Sequence, residues 1–360
     1  MKEMFVNLEK FCTSLKFELN SNDLSVALAA DNDLDGLFSA VKLDMGIYEL
    51  FGTEVETYFR SDLYWDIPLD KEFDLLIMMD LAYDNTPNYR NTASKAKRTF
   101  AIDHHITNEK GFPRRVTAYN PCRNGQCYQP TTFLVDEILK KLGQDKSPLN
   151  EYLNLLGILA DAGINFCVDA EKNIQYSFDQ SLEDIFITSK RQFTPLFEKN
   201  TFDNFVYPQY KETLEALSFE CGELGWKEVY FRFINEVTDL TTAQELVRKI
   251  ERKNKNVFFD VIQKIPKEPT ELTKSGIWLV KNLTSISNGV IGRLIAELFG
   301  KAVVTYSCAK FCRVSARAPV DSTINFIPIF SSFGGGHPKA CGAFLTPKKF
   351  QEFLEIVREI

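Results

Sequence analysis

The sequence predicts an α/β protein whose N-terminal part is built around a parallel sheet. In the first 170 residues, short apolar runs alternate with segments whose apolar residues recur at helical spacing. Strands joined by helical crossovers form parallel sheets. The same alternation returns after residue 270, so we expect this 360-residue chain to contain a second α/β unit.

The first strand and helix are predicted between residues 25 and 51. SVALAA, at 25–30, is a short buried strand, and the segment 37–51 has the apolar spacing of an amphipathic helix. Further strands are predicted in EVETYF at 54–59, LLIMMD at 75–80 and RTFAID at 98–103. An apolar helix follows at 151–166. We assign residues 1–170 to one domain.

The middle of the chain changes character. Residues 171–270 contain long, charged segments with helical spacing, such as the one at 241–265, and they predict a helical connector. Aromatic residues at helical spacing belong to a core more often than to a nucleic-acid surface. We therefore assign Trp226, Tyr230, Phe231 and Phe233 to the core.

The C-terminal part, residues 271–360, is predicted to be a smaller α/β domain. A strand at 276–283, a helix at 288–300 and strands at 301–307 and 311–319 precede a glycine run. A short helix ends the chain. We expect a cleft between this domain and the N-terminal one.

Composition excludes some classes of protein. The formal net charge is −7, so the surface as a whole does not suit a polyanion, and any nucleic acid has to be held locally. No run approaches the roughly 20 apolar residues that span a bilayer, and no signal peptide is evident, so a cytoplasmic location without a membrane partner is expected. The eight cysteines are dispersed, as expected of mostly free thiols. A homodimer is left open.

Acidic residues and histidines follow the predicted strands. In parallel sheets, ligands bind beyond the carboxyl ends of the strands, so these side chains are expected at one edge. Repulsion among so many carboxylates is costly unless a cation compensates it, and oxygen ligands with one or two imidazoles suit Mn²⁺ or Mg²⁺. The residues concerned are Asp31, Asp33 and Asp35, then Asp80, then Asp103, His104 and His105, and finally Asp161.

Six segments in this order resemble the motifs of the DHH phosphoesterase superfamily. DNDLDG, Asp80, Asp103-His104-His105 and GILADAG resemble its four catalytic motifs. RVSAR and GGGHPKACG, with the preceding SNGVIGRLIAELFGKAVVTYS, resemble the DHH-associated domain of RecJ-like and nano-RNase-like members. The resemblance covers both ends of the chain and leaves the connector unassigned.

The resemblance implies two Mn²⁺ ions, with Mg²⁺ as the alternative. Asp33 and Asp35 would each bind one ion, Asp80 and Asp161 would bridge both, and His104 would be the imidazole ligand. Asp31 matches an additional acidic residue of RecJ-like members. His105 would point at the phosphate, and Asp103 would orient the histidines through hydrogen bonds rather than bind metal.

The glycine run has two interpretations. Glycines allow close approach of a backbone to a phosphate, so the run could hold substrate, or it could simply form a crowded turn. The resemblance favours substrate binding. The predicted substrate contacts are Arg317, Gly334, Gly335, Gly336, His337 and Lys339.

The implied activity is phosphodiester hydrolysis in which two metal ions activate a water molecule. We expect an exonuclease that releases mononucleotides from short single-stranded RNA or DNA, in the 5′ to 3′ direction as in the resembling exonucleases. Short substrates are favoured because the chain is acidic and lacks room for an added oligonucleotide-binding module. The alternatives are a phosphodiesterase or phosphatase for small nucleotides, such as a cyclic dinucleotide or a nucleotide 3′-phosphate, and an inactive scaffold of the same fold.

Overall fold

Two units make up the described part of the chain. The computed structural model describes residues 5–21, 23–60, 67–81, 87–105, 116–123, 129–161, 167–169, 174–175, 190–192, 206–284, 286–319 and 322–360. Of these, the first unit contains the residues up to Gln192 and Val206–Lys255, and the second contains Asn256–Ile360. The domain boundaries predicted at residues 170 and 270 stay predictions. No helix in these ranges combines the length and the apolar character that crossing a membrane requires.

A parallel sheet forms the centre of the first unit and confirms the predicted fold class. Its strands are β1 (Val26–Ala30), β2 (Val55–Phe59), β3 (Phe73–Met79), β4 (Ala96–Ile102) and β5 (Val116–Tyr119). They lie in the order β2-β1-β3-β4-β5. β1 is buried along its whole length because helices cover both faces of such a sheet, and this burial explains its unbroken apolar sequence. β5 was not predicted from the sequence, because its four residues are too few to show a pattern.

The described residues up to Asp161 also form five helices. They are α1 (Leu8–Leu19), α2 (Leu34–Phe51), α3 (Pro87–Ser94), α4 (Thr131–Leu142) and α5 (Pro148–Asp161). The central helix α2 ends at Gly52, whose φ of 66° is a left-handed conformation that favours glycine. The buried Lys42 of α2 lies 2.7 Å from Asp136 of α4 and donates to the carbonyl of Asn150 in α5. These contacts of Lys42 join the three helices.

Part of the predicted connector packs into the core of the first unit. The helices α6 (Gln209–Leu224), α7 (Trp226–Glu236) and α8 (Leu240–Lys264) follow four short strands. Those strands are β6 (Cys167–Asp169), β7 (Ile174–Gln175), β8 (Lys190–Gln192) and β9 (Val206–Pro208). Phe233 of α7 packs edge-on against Phe38 of α2, with ring centroids 5.3 Å apart.

The aromatic residues of α7 divide between the core and the surface. Tyr230 and Phe233 are buried, as predicted, and Trp226 is partly buried against the same core. The prediction for Phe231 is wrong, because 41% of this residue is exposed. Successive residues of a helix are turned by about 100°, so Phe231 cannot share the face on which Tyr230 and Phe233 lie.

We expect Tyr230→Phe to destabilise the first unit. The Tyr230 hydroxyl donates to the carboxylate of Asp44 and accepts a hydrogen bond from Thr57 Oγ1 at 2.8 Å. Removing the hydroxyl takes away both interactions and should lower the free energy of unfolding by about 1–3 kcal/mol, measured by urea denaturation. Tyr48→Phe is the matched control, since Tyr48 is 61% exposed on α2. Equal losses in the two variants would contradict the prediction.

The second unit is built on a mixed sheet. Its strands are β10 (Glu271–Leu272), β11 (Trp278–Lys281), β12 (Val303–Cys308), β13 (Cys312–Arg317), β14 (Gly334–His337) and β15 (Ala340–Leu345). They lie in the order β10-β11-β12-β13-β15-β14, and only the β11–β12 pair among them is parallel. Its helices are α9 (Asn288–Phe299), α10 (Ile327–Phe330) and α11 (Pro347–Glu359). A separate hydrophobic core, including Phe326, Phe330 and Phe353, lies within this unit.

One pair of cysteines departs from the expectation of free thiols. Cys308 and Cys312 form a disulfide, because they are direct partners across the β12–β13 pair and their Cα atoms are 4.1 Å apart. The sequence spacing alone does not show that a tight turn separates them. Four other described cysteines, Cys12, Cys122, Cys221 and Cys341, are all buried.

Candidate metal centre

The strands of the first sheet end at the same level. Ala30 pairs with Phe59 on one side and with Met79 on the other, Met79 pairs with Ile102, and Ile102 pairs with Tyr119. The next residue of each strand therefore lies at the same edge of the sheet. Those residues, in spatial order, are Arg60, Asp31, Asp80, Asp103 and Asn120.

Helix α2 begins at this edge and brings two more carboxylates. Asp33 is its N-cap, and the Asp33 side chain accepts a hydrogen bond from the backbone N–H of Gly36 at 2.8 Å. Asp35 lies in the first turn and is buried. A Cβ at position 36 would overlap the carbonyl of Asp31, so only glycine allows the strand and helix to approach so closely here.

The Asp35 carboxylate is held by the N-terminus of α4. The backbone N–H of Thr131 donates to Asp35 Oδ2 at 2.6 Å, and the backbone N–H of Thr132 donates to Asp35 Oδ1 at 2.8 Å. The Thr132 hydroxyl also donates to this carboxylate. Free N–H groups at a helix N-terminus favour a negative charge, which explains why a buried carboxylate is tolerated at this position.

Asp80 has an unusual backbone conformation. Its φ is 58°, in the left-handed region that non-glycine residues rarely adopt. Its backbone N–H donates to the carbonyl of Ile102 at 3.0 Å, and Asp80 Oδ1 accepts from Thr131 Oγ1 at 3.1 Å. Strain of this kind is typical of functional sites, where the surrounding structure maintains it.

The two histidines lie next to Asp80. His104 Nε2 is 3.2 Å from Asp80 Oδ1, and His104 Nδ1 is 3.7 Å from Asp161 Oδ2, at the end of α5. His105 turns to Asp103, whose Oδ1 is 2.8 Å from His105 Nδ1 and also accepts from the backbone N–H of His105 at 3.3 Å. Asp103 therefore orients His105.

The described residues form three groups whose ligand atoms lie within 4.8 Å of one another. One group is Asp31, Asp33 and Asp80, the second is Asp35, His104 and Asp161, and the third is Asp80, His104 and His105. These groups share members and consist of oxygen and imidazole donors, a set that suits Mn²⁺ and Mg²⁺. The residues present therefore fit a divalent cation, and Asp103 is not a member of any of these groups.

Electrostatics support a cation at this site. Burial, followed by the charges of Asp80 and Asp161, raises the pKa of Asp35 well above its usual range. Burial is also the main reason that the pKa of Asp80 rises to about 7, against the lowering effect of His105. Burial opposes the charged form of His105, but Asp103, Asp80 and Asp161 outweigh it and raise the pKa of His105 to about 10. Divalent ions would return the carboxyl groups to their ionised form.

Asp31 also forms an ion pair with Arg60, a residue outside the three groups of possible metal ligands. The guanidinium of Arg60 donates to the carboxylate of Asp31, which also accepts from the backbone N–H of Asn32 at 2.7 Å. The role of Asp31 as a ligand stays a prediction.

Four residues of the site were not predicted from the sequence: Arg60, Asn120, Thr131 and Thr132. Asn120 donates to the carbonyl of His105 at 2.8 Å and so holds the residues directly after β4. The position directly after a strand is the signal that would have found Arg60 and Asn120. A Thr pair after Pro130, at the start of a helix, would have pointed to Thr131 and Thr132.

The predicted substrate-binding residues lie in the second unit. Gly334, Gly335 and Gly336 belong to β14, and a Cβ at 334 or 336 would overlap the backbone of β15, so close strand packing requires those two glycines. The Lys339 ammonium donates to the backbone carbonyls of Ser322 and Ile324.

The other two substrate-binding candidates also lie in this unit. Arg317 Nη1 donates to Ser315 Oγ at 3.1 Å and to the carbonyl of Ala316 at 2.9 Å. The backbone of His337 pairs with Ala340, and its side chain lies outside the described part. Substrate binding by all six residues stays a prediction.

Comparison with known proteins identifies the fold. No family model and no curated protein matches the sequence. Among solved structures, the chain is similar to the DHH domain of a member of a ribosomal-protein family, at 15% identity and a TM-score of 0.65, with 97% of this chain and 89% of that chain covered.

Two RecJ structures are also similar. Exonuclease RecJ bound to manganese has 17% identity and a TM-score of 0.57, with 98% of this chain and 93% of that chain covered. RecJ from Thermus thermophilus in complex with Mn²⁺ has 16% identity and a TM-score of 0.61. The present chain is covered over 98% of its length but spans only 54% of the Thermus protein.

Proposed function

We propose that this protein, which has the fold of the DHH superfamily, is a metal-dependent phosphodiesterase. The observation that carries the proposal is the meeting of Asp33, Asp35, Asp80, His104 and Asp161 around one edge of the parallel sheet. Their donor set fits divalent ions, and the buried carboxyl groups of Asp35 and Asp80 need positive charge to ionise. The RecJ structures, bound to manganese in one case and to Mn²⁺ in another, support this assignment.

The chain's own residues would hold two Mn²⁺ ions, or two Mg²⁺ ions. Asp33 and Asp35 would bind one ion each, Asp80 and Asp161 would bridge them, and His104 would complete one coordination sphere. The bound ions would activate water, orient the phosphate and stabilise the leaving oxygen. A serine nucleophile is not required.

His105 is proposed to contact the phosphate. Burial opposes the charged form of His105, whereas the carboxylate of Asp103 raises its pKa and fixes its ring through Nδ1. A charged imidazole in a partly exposed position can donate to a phosphate oxygen from its other nitrogen. In this mechanism Asp103 orients the histidine and does not bind metal.

The proposed substrate is a short single-stranded oligonucleotide, shortened by one nucleotide at a time from its 5′ end. The similarity to exonuclease RecJ and the acidic net charge of the chain support this choice. We propose that the second unit supplies the substrate contacts, with Arg317, the glycine strand β14 and His337 as the first candidates. The Lys339 ammonium would have to leave two backbone carbonyls before it could contact a phosphate.

The test is a time course of products from RNA and DNA oligomers of graded length, labelled at either end, with Mn²⁺ present. Mononucleotides released in steps from the 5′ end are expected. Cyclic dinucleotides and nucleotide 3′-phosphates are included as competing substrates, and exclusive turnover of these would replace the exonuclease assignment. Failure to hydrolyse any phosphodiester or phosphomonoester would instead favour an inactive scaffold of the same fold.

We expect His337→Ala to weaken substrate binding while Mn²⁺ binding stays unchanged. His337 belongs to a different unit from the metal centre, so its loss removes a substrate contact and leaves the carboxylates in place. KM should rise by about tenfold, the effect of one lost hydrogen bond to a charged group. Calorimetry with Mn²⁺ measures the metal affinity, and steady-state kinetics measure KM. A loss of Mn²⁺ affinity would contradict the proposal that His337 contacts the substrate and has no role in metal binding.

We expect the apparent affinity for Mn²⁺ to rise with pH between about 6 and 8. Metal binding requires ionised carboxylates, and the pKa of Asp80 in the metal-free chain is about 7, so protons have to leave in this range. For each proton released, the apparent affinity for Mn²⁺ should rise roughly tenfold per pH unit at pH values below that pKa. Titration calorimetry at several pH values, in buffers of different ionisation enthalpy, measures both the affinity and the protons released. A pH-independent affinity would contradict the raised pKa.

A further inference from the structure

The first turn of α4 contacts two of the predicted metal ligands, although it contributes no ligand itself. Thr131 and Thr132 are both fully buried. The hydroxyl of Thr131 donates to Asp80 Oδ1, while its backbone N–H donates to Asp35 Oδ2. Thr131 thus donates hydrogen bonds to two carboxylates, that of Asp80 directly after β3 and that of Asp35 in the first turn of α2.

The second threonine secures the same turn. The Thr132 hydroxyl donates to the Asp35 carboxylate, and it also lies 3.1 Å from the Asp35 carbonyl and 3.2 Å from Ser39 Oγ. On its other side lies Gly157 of α5, where a Cβ would overlap Thr132. The pair is therefore confined between α2 and α5, and Asp161 lies one turn after Gly157 on α5.

This arrangement restricts how the carboxylates can rotate. Both oxygens of Asp35 accept hydrogen bonds from the α4 turn, so the plane of its carboxylate is fixed. Asp80 has one oxygen bonded to Thr131 and a backbone that already has a strained φ. Hydrogen bonds to ligating carboxylates orient them, and their removal commonly costs about tenfold to a hundredfold in metal affinity.

We infer that Thr131 is a positioning residue that fixes the Asp35 and Asp80 carboxylates relative to each other, in the arrangement that would hold metal. The inference rests on the proposed function, because it assigns those carboxylates to metal. The Thr131 hydroxyl is the specific group involved, and the backbone N–H of the same residue anchors the other carboxylate.

The test compares Thr131→Val with Thr131→Ser and with a matched control. Valine keeps the shape and the backbone N–H but removes the hydroxyl, whereas serine keeps the hydroxyl. Thr99→Val is the control, since Thr99 is equally buried in β4 and its hydroxyl donates to the carbonyl of Ala93, away from the metal centre. Mn²⁺ affinity and stoichiometry are measured by titration calorimetry, and thermal unfolding is followed in parallel.

We expect Thr131→Val to weaken binding of at least one Mn²⁺ ion by about tenfold or more, and Thr131→Ser to restore most of that affinity. Thr99→Val should lower the unfolding temperature without changing the Mn²⁺ affinities. If Thr131→Val does not fold, Thr131→Ala is compared with Thr131→Ser in the same way. Parental affinities in the variant without the hydroxyl, or an equal loss in Thr99→Val, would overturn the inference.

The parent chain separates this inference from the proposed function. A parent that binds no Mn²⁺ overturns both. A parent that binds two ions and hydrolyses phosphodiesters, together with a Thr131→Val variant of unchanged affinity, overturns only the positioning role.

Discussion

Asp80→Asn is expected to reduce turnover by at least about 10³-fold. Loss of one electrostatic contact to a transition state commonly costs about 10²–10³-fold, and the proposed bridging carboxylate would contact both ions. Asparagine is preferable to alanine because it tolerates the left-handed φ of 58° at this position. It also removes a charge from a crowded acidic cluster, so the metal-free variant should not be less stable than the parent.

The control lies on the same strand. Asp74 is near the opposite end of β3, where it accepts from Ser25 and pairs with Lys97. Asp74→Asn therefore removes the same charge from the same strand without reaching the metal centre, and its turnover should stay within about threefold of the parent, a free-energy difference below about 1 kcal/mol. Activity near the parental level in Asp80→Asn, measured at saturating Mn²⁺, would contradict the dinuclear centre.

Removal of metal is expected to abolish turnover and to lower the stability of the first unit. EDTA should stop hydrolysis, and excess Mn²⁺ should restore it. Because the ions bind only the folded chain, Mn²⁺ at about a hundred times its Kd should add about 2.7 kcal/mol to the free energy of unfolding for each site. Relief of the repulsion among Asp33, Asp35 and Asp80 is already contained in that Kd.

The measurement is thermal unfolding with EDTA, with Mn²⁺ and with Mg²⁺, alongside product release. In Asp80→Asn the Mn²⁺-dependent rise in unfolding temperature should shrink, whereas Asp74→Asn should behave like the parent. Hydrolysis that persists after exhaustive chelation would contradict metal dependence. An unfolding temperature that does not respond to Mn²⁺ would contradict binding at the carboxylate cluster.

Local patterns in the sequence were enough to predict four of the five strands and to expect acidic residues at one edge of the sheet. The strands β1 and β3 and the last three residues of β4 are largely apolar because both faces of the sheet are covered there. Each of the three strands is followed directly by an aspartate. Parallel strands end at one edge, so Asp31, Asp80 and Asp103 could be placed together without coordinates. Both the order of these residues and the type of donor they provide are properties of the chain itself.

Interactions between distant residues were not predictable in this way. Thr131 and Thr132 bind Asp35 across 96 and 97 residues, and Arg60 binds Asp31 across 29 residues. Each depends on which helix packs beside which strand, and a hydrogen bond to a distant residue leaves no periodic signal. The Cys308–Cys312 disulfide and the exposure of Phe231 likewise depend on strand register and helix rotation.

Composition and periodicity thus established an α/β chain with carboxylates and imidazoles after its strands, because burial and strand direction act residue by residue. The packing of α4 against α2 established how those side chains are oriented, including the hydrogen bonds that hold Asp35 and the one that reaches Asp80. The physical reason is that the orientation of a carboxylate depends on hydrogen-bond donors from several helices and strands. Those donors come together only in the folded chain.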